Sequence, residues 1–308
     1  MVYLISLRLD YKQKKAQMKK TFMIIAAVAL VLASCTDGRK VKEFPTKPGK
    51  TVVEDSEPEP LDPVKIPRYA THVCDTVMGP WHVVTYVDTT PELIKAEDGE
   101  IHDSSLHLTA DYNGHRVLDN KEITTSDIIG DNSDREHGFY FGRIIMATQN
   151  TLFLQAGAYI YSSDDGFTKI MAIDSDGTIS GYLFDILQFE NAVLVEEFYT
   201  LLNHEMTRHG EGDRAGAIEV VDRYTTDAVK KEVRKKGIKA IYPPSMGDIK
   251  GRNIEMGTEY ISDIYVKAFF HDADNGRLDS VMADTEGFSH FKETIKPIAI
   301  KSVTPYGE

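Results

Sequence analysis

Leu106-His107-Leu108-Thr109-Ala110-Asp111-Tyr112 alternates apolar and polar residues without a break. A period of two sends one kind of side chain to each face of an extended chain, so the stretch predicts a half-buried β-strand. Asn113-Gly114 follows directly. That pair supplies the positive φ angles of a tight hairpin turn. Outward from this strand, further β-like runs fall at 82–87, 143–147, 151–156, 158–162, 169–173 and 178–184. Turn signals at Glu97-Asp98-Gly99, Asp165-Gly166 and Asp176-Gly177 separate them. Short strands at spacings of about 8–12 residues predict an antiparallel β-sandwich-like or open-barrel domain over residues 68–186. Ser126 is placed to cap a short helix at 127–130.

The periodicity changes after residue 186. Ala192, Val195, Phe198, Tyr199 and Leu202 recur at helical spacing, which predicts an amphipathic helix over 188–207. A second helical stretch covers 215–236, with Thr225-Thr226-Asp227 placed to interrupt and recap it. Lys230, Lys231, Arg234, Lys235 and Lys236 crowd its end before Gly237, where cations suit the helix dipole and glycine ends helices. Strands return at 261–271, 278–283 and 298–303, the first two around a hairpin at Asp272-Ala273-Asp274-Asn275-Gly276. The fold class is therefore mainly β / α+β. A β domain precedes an α+β domain (187–308) of two or three helices and a small antiparallel sheet.

Composition narrows the function classes. The chain has 308 residues, 42% of them apolar and 27% charged, which is ordinary for a globular protein. Its formal net charge is −13, and residues 68–308 alone carry 23 basic and 40 acidic residues. A surface this acidic disfavours nucleic acid, because phosphate contacts need a basic face. Two cysteines exclude a disulfide scaffold and a four-cysteine zinc site.

The N-terminus reads as a targeting segment. Lys19-Lys20 precede an apolar run over 22–32, too short to cross a bilayer and of signal-peptide length. The run ends in Leu32-Ala33-Ser34-Cys35, which resembles the lipobox of bacterial lipoproteins. That resemblance implies diacylglycerol on the Cys35 thiol, cleavage before Cys35 and acylation of the new amino group, with residues 1–34 removed. Met18 is the more typical signal start. Residues 35–67 hold six of the twelve prolines and dense charge, and read as a tether; a packed irregular arm is the other reading.

Two further resemblances concern the folded part. Ile94-Lys95-Ala96-Glu97-Asp98-Gly99-Glu100-Ile101, followed by Ser104 to Leu108 and by Ile173-Asp174-Ser175-Asp176-Gly177-Thr178-Ile179, is similar over residues 69–185 to Bacteroides-type lipoproteins of unknown function. Ser104 stands where those proteins usually have Asn. This implies an envelope compartment and a mostly β domain. Phe198-Tyr199, Tyr224-Thr225 and the strands after them resemble the nuclear-transport-factor-like superfamily, which implies a helix-packed curved sheet with a pocket.

Candidate chemistry was sought motif by motif. His204-Glu205-Met206-Thr207-Arg208-His209 has its histidines five apart rather than the four of a zinc-protease helix, so they join one site only if the helix ends between them. Asp272, Asp274 and Asp279 lie in a loop like a calcium site, but its glycine comes fifth rather than sixth, and a hairpin turn is the simpler reading. Ser289-His290-Phe291-Lys292 fits the Ser-x-x-Lys of penicillin-recognising enzymes without their companion motifs. Cys74 near His72 or His82 is a weak nucleophile arrangement, and the single tryptophan, Trp81, reads as core.

These readings converge on a lipid-anchored envelope protein with no catalytic residues, cofactor or metal, whose role is binding or assembly. Its partners are the membrane, through the Cys35 lipid, and an envelope protein or glycan. The alternative is a ligand-binding module with a pocket in the C-terminal domain; a hydrolase ranks behind both. Thr36-Asp37-Gly38-Arg39-Lys40 carries one acid where surface-exported lipoproteins carry an acidic tag. The expected location is the outer membrane, with the periplasmic face favoured over the cell surface.

Overall fold

The strand at Leu106–Tyr112 lies in the middle of the first of three antiparallel sheets. The computed structural model describes residues 62–96, 99–161, 165–185, 190–210, 213–243, 246, 249–286 and 299–305. All of them fall in one compact unit, 57–308. Sheet A runs β1 (Thr71–Met78), β2 (Trp81–Ala96), β3 (Gly99–Tyr112) and β4 (His115–Ile123). Sheet B runs β5 (His137–Ala147), β6 (Thr151–Ile160), β7 (Gly166–Asp174) and β8 (Ile179–Asp185). Both are meanders in chain order, as short hairpin turns between antiparallel strands dictate. Asn113 (φ 50°) and Gly114 (φ 78°) form the turn between β3 and β4 that their sequence predicts.

Helix α1 (Thr125–Ile129) joins the two sheets. Its N-cap is Thr124, two residues before the expected cap Ser126: the Thr124 hydroxyl accepts from Asp127 N, while the Asp127 carboxylate accepts from Thr124 N. This reciprocal box satisfies two amides that a cap at Ser126 would leave unpaired.

Sheets A and B face each other as a sandwich. Trp81, Val83, Leu106, Leu108 and Ala110 of sheet A pack on Phe139, Leu152, Leu154, Ala156 and Ile173 of sheet B. The other face of sheet B is also covered. Ile145, Met146, Phe153, Ile170 and Ala172 pack on helix α2 (Glu190–Arg208). β6 is therefore buried on both faces from Thr151 to Ala158. Beyond α2 lie α3 (Ala215–Tyr224) and α4 (Asp227–Lys236). Sheet C follows, in the order β12 (Ala299–Pro305), β11 (Arg277–Glu286), β10 (Tyr265–Asp272), β9 (Ile254–Ser262). The helices break at Thr225-Thr226, where Thr226 N donates to Ile300 O of β12. The basic end of α4 is solvated and paired locally, through Arg234–Asp222 and Lys236–Glu232.

Two expectations are corrected. The strand read at 261–271 is two strands: β9 ends at Ser262 and β10 begins at Tyr265, with Thr285 N and its hydroxyl both bonded to the turn carbonyl of Ile264. Helix α2 is not an amphipathic surface helix. Every residue from Phe198 to Met206 is buried, because sheet B lies on one side and α3 and sheet C on the others. The boundary expected at 186/187 lies outside the described residues.

Neighbouring β6 residues point into different cores, so truncation should hurt in both directions. Phe153→Ala and Leu154→Ala are each expected to cost about 3–5 kcal/mol and about 2–5 kcal/mol respectively, read from urea unfolding. A cost below about 1 kcal/mol for either would mean that its face of sheet B is not packed.

Candidate functional site

Among the described residues, a buried group of titratable side chains converges where β7 ends against the last turn of α2. Asp174 is the final residue of β7 and is almost fully buried. Its Oδ1 receives His204 Nε2 at 3.0 Å and the Thr151 hydroxyl at 3.2 Å, and its Oδ2 receives Arg208 Nε at 2.8 Å. His204 and Arg208 are one helical turn apart, so both reach the same carboxylate from α2. Arg208 continues to Asp176 in the β7–β8 turn at 3.0 Å. The other ring nitrogen of His204, Nδ1, takes the Tyr182 hydroxyl of β8 at 2.7 Å.

Burial would push the Asp174 carboxyl up, but the hydrogen bond from His204 and the charges of His204, Arg208 and His209 hold it below the ordinary range. Tyr182 is pushed up to about 12 by burial and by the Asp174 charge, so its hydroxyl stays protonated at neutral pH. Tyr182–His204–Asp174 thus has the connectivity of a proton relay. Each nitrogen of the histidine is spent on an internal partner, and so is each carboxylate oxygen of Asp174.

Glu205 lies beside this cluster and is also buried. Its Oε1 accepts from the Thr148 hydroxyl at 2.7 Å, while Oε2 accepts no hydrogen bond among the described residues. Thr148 in turn receives the Trp81 indole N–H through its backbone carbonyl at 3.0 Å, which ties sheet A to the same point. Gly216 of α3 leaves room for this carboxylate: a Cβ there would lie 2.2 Å from Glu205 Oε2 and would displace the end of the Glu205 side chain. Burial pushes the Glu205 carboxyl up to about 6, with the Thr148 bond opposing. His209 follows directly on α2, with Nε2 at 3.8 Å from Asp174 Oδ1 and 3.9 Å from Glu205 Oε2. Burial pulls its pKa down against the charge of Asp174.

The helix does end between the two histidines, so His204, Glu205 and His209 are brought together. Their five-residue spacing nevertheless aims them at the Asp174 carboxylate. Among the described residues no group of three or more His, Cys, Asp or Glu side chains is arranged to hold a metal ion. Asp272, Asp274 and Asp279 do not converge. Asp272 is fully buried and ion-paired with Arg252, with its Oδ1 accepting from Asp274 N. Asp274 Oδ2 accepts from Asn253 N, and Asp279 Oδ1 accepts from Ser280 N. The Asp272–Gly276 segment is the hairpin between β10 and β11.

His82 spends its ring nitrogens on Asp75 (2.8 Å) and Asp111 (3.2 Å) rather than on Cys74; His72 is exposed. Trp81 is wholly buried. Cys35, Ser289 and Lys292 lie outside the described residues. Asp174, Tyr182, Arg208, Thr148 and Thr151 are the members that sequence reading misses. Asp176 reads there only as a turn former with Gly177 and Asp174 only as part of the resemblance over 173–179, and nothing local marks either as a helix partner.

A cavity of about 200 Å3 lies on the far side of Thr148, lined by Gly79, Pro80, Tyr112, Gln149 and Glu219 among others. It draws mainly on sheets A and B. Among the described residues no helix is long and apolar enough to cross a membrane. Compared with models of known protein families and with curated proteins, the chain matches none.

Two outcomes follow for the cluster. Asp174→Asn puts an amide NH2 where the carboxylate accepts from Thr151, His204 and Arg208, leaving buried donors unmatched, and is expected to cost about 1–3 kcal/mol in urea unfolding; a neutral effect would contradict the brace. Glu205 binds its proton more tightly folded than unfolded, so its contribution to stability falls as pH rises from about 4.5 to about 6. His209 acts with the opposite sign, since its proton is held less tightly in the fold. The difference between Glu205→Gln and the parent isolates the glutamate. The variant should gain up to about 2 kcal/mol over the parent between pH 4 and pH 7, and a flat difference would contradict the assignment.

Proposed function

We propose that the chain is a lipid-anchored protein of the bacterial cell envelope with a binding or assembly role and no catalysis. The observation that carries this reading is the sequence Leu32-Ala33-Ser34-Cys35 behind Lys19-Lys20 and the apolar run 22–32. A thiol one residue past two small side chains is what a lipid-transferring enzyme and its signal peptidase require. Two or three acyl chains at one cysteine then give stable attachment where one gives only marginal attachment. The 32 residues from 36 to 67 would span about 100 Å if extended, enough to set the folded unit off from the membrane surface.

The non-catalytic part of the reading is supported by the chemistry of the buried cluster. A general base needs an atom within reach of a substrate proton. Asp174 and His204 are instead saturated by one another and by Thr151, Arg208 and Tyr182. The acidic charge of the folded part supports a neutral or cationic partner over an anionic one. The single acid in Thr36-Asp37-Gly38-Arg39-Lys40 supports the periplasmic face of the outer membrane. The resemblance over 69–185 to Bacteroides-type lipoproteins agrees with this compartment.

The test is metabolic labelling with radioactive palmitate in a bacterial host, followed by membrane fractionation. The parent chain should carry label and sediment with membranes, and Cys35→Ser should lose both. Label and membrane association that survive in Cys35→Ser would refute the anchor.

A further inference from the structure

The open end of sheet B carries a second kind of surface. Tyr140 of β5 and Tyr159 of β6 lie with ring centroids 4.4 Å apart, and Phe141 meets Tyr140 edge-on at 6.1 Å. Two glycines make room for these rings. A Cβ on Gly157 would lie 2.3 Å from the Phe141 ring, and one on Gly138 would lie 2.6 Å from the Tyr161 ring and 2.2 Å from Ile94. The rings therefore lie down along the strands instead of standing off them. Tyr140 and Tyr161 remain 45% exposed each, and the Tyr161 hydroxyl donates at 3.4 Å to Phe139 O, on the same strand as Tyr140.

Ile94, whose Cδ1 shares with the Tyr161 ring the space above Gly138, also lines an open groove of about 340 Å3. Its other lining includes Glu92, Ser126, Asp131, Ser133 and Arg135. The rim is held in shape by its own bonds. Asn132 grips His137 at both backbone N and O (3.2 and 2.9 Å), Arg135 O accepts from Lys95 N at 2.9 Å, and Asp131 Oδ1 accepts from Ser133 N. Ring faces thus adjoin a preformed row of carboxylate, hydroxyl and guanidinium groups.

We propose that the Tyr140–Tyr159–Tyr161 cluster and the adjoining groove form a binding face for a neutral saccharide. A pyranose ring presents C–H bonds on its faces, which the electron-rich face of a tyrosine attracts. Around its edge it presents hydroxyls that donate to Glu92 and Asp131 and accept from Arg135 and the serines. The groove's size lies at the lower end of small-ligand clefts, about 300–1,000 Å3. Charge selects among occupants. Two carboxylates against one guanidinium, on a chain of net charge −13, repel a polyanion. The polar lining gives an apolar peptide little to bury against. The proposal rests on the binding role above and names its ligand class.

The test is affinity electrophoresis of the full chain, in the sugar-free detergent LDAO, through gels containing dextran, laminarin, galactomannan, xylan or mixed-linkage β-glucan, with heparin as the polyanion comparator. At least one neutral polysaccharide should retard the chain. Tyr140→Ala combined with Tyr161→Ala should weaken that retardation at least tenfold. Tyr140→Phe, which keeps the ring and the fold, should retain it, and Arg135→Ala on the exposed rim should weaken it. No retardation by any of the neutral polymers would overturn the proposal. So would retardation by heparin alone, or retardation indifferent to the tyrosine and arginine changes. If light scattering shows a dimer that the double tyrosine variant abolishes, with no polysaccharide shift, the face is a contact between copies and the proposal falls. The palmitate result is independent of all of these outcomes, so failure here and failure of the anchor are told apart.

Discussion

Asp174 ends a central strand with its carboxylate out of water and with donors from β6 and α2 on its two oxygens. Removing an ionised carboxylate from water costs several kcal/mol unless its partners replace the lost hydration. Here the partners come from different parts of the chain: Thr151 from β6, and His204 and Arg208 from the end of α2. Their need for Asp174 fixes both the rotation of α2 and its position along the sheet. Thr148 and Glu205 repeat the device one turn away, and Trp81 joins sheet A to it. Three layers therefore meet at one polar point.

The packing around that point explains why β6 reads as it does. Thr-Leu-Phe-Leu-Gln-Ala-Gly-Ala is buried throughout, with Leu152 and Leu154 facing the sandwich and Phe153 facing α2. A strand covered on both faces has no reason to alternate. The same geometry accounts for two further buried polar residues of α2: Thr258 bonds Glu196, and Asn203 bonds Ile254 O and Tyr242.

How much of this was legible in the sequence depends on burial pattern. The strand at 106–112, its Asn-Gly turn, the helix break at Thr225-Thr226 and the Asp272–Gly276 hairpin were all readable, because each is specified by neighbours in sequence. β1, β4 and most of β9 were not. All three are edge strands of their sheets; β1 and β4 are largely exposed and rich in polar residues, while in β9 Gly257 and Thr258 interrupt the alternation of Ile254, Met256 and Tyr260. The polar cluster was legible by half. His204, Glu205 and His209 stood out as a motif, but their partner Asp174 lies 30 residues before His204. Nothing local distinguishes a buried counter-charge from a turn-forming aspartate. The tyrosine face was missed for the same reason, since Tyr140 and Tyr159 meet only through the β5–β6 register.

Sheet B and α2 thus form one cooperative core braced at Asp174. Native-state hydrogen exchange followed by NMR tests it most directly. Amides of β6, β7 and the Tyr199–Met206 part of α2 should share the slowest exchange class and the same denaturant dependence, that of global unfolding. If the α2 amides instead exchange through a separate opening of lower free energy while β6 stays protected, helix and sheet are independent units, and the claim is wrong.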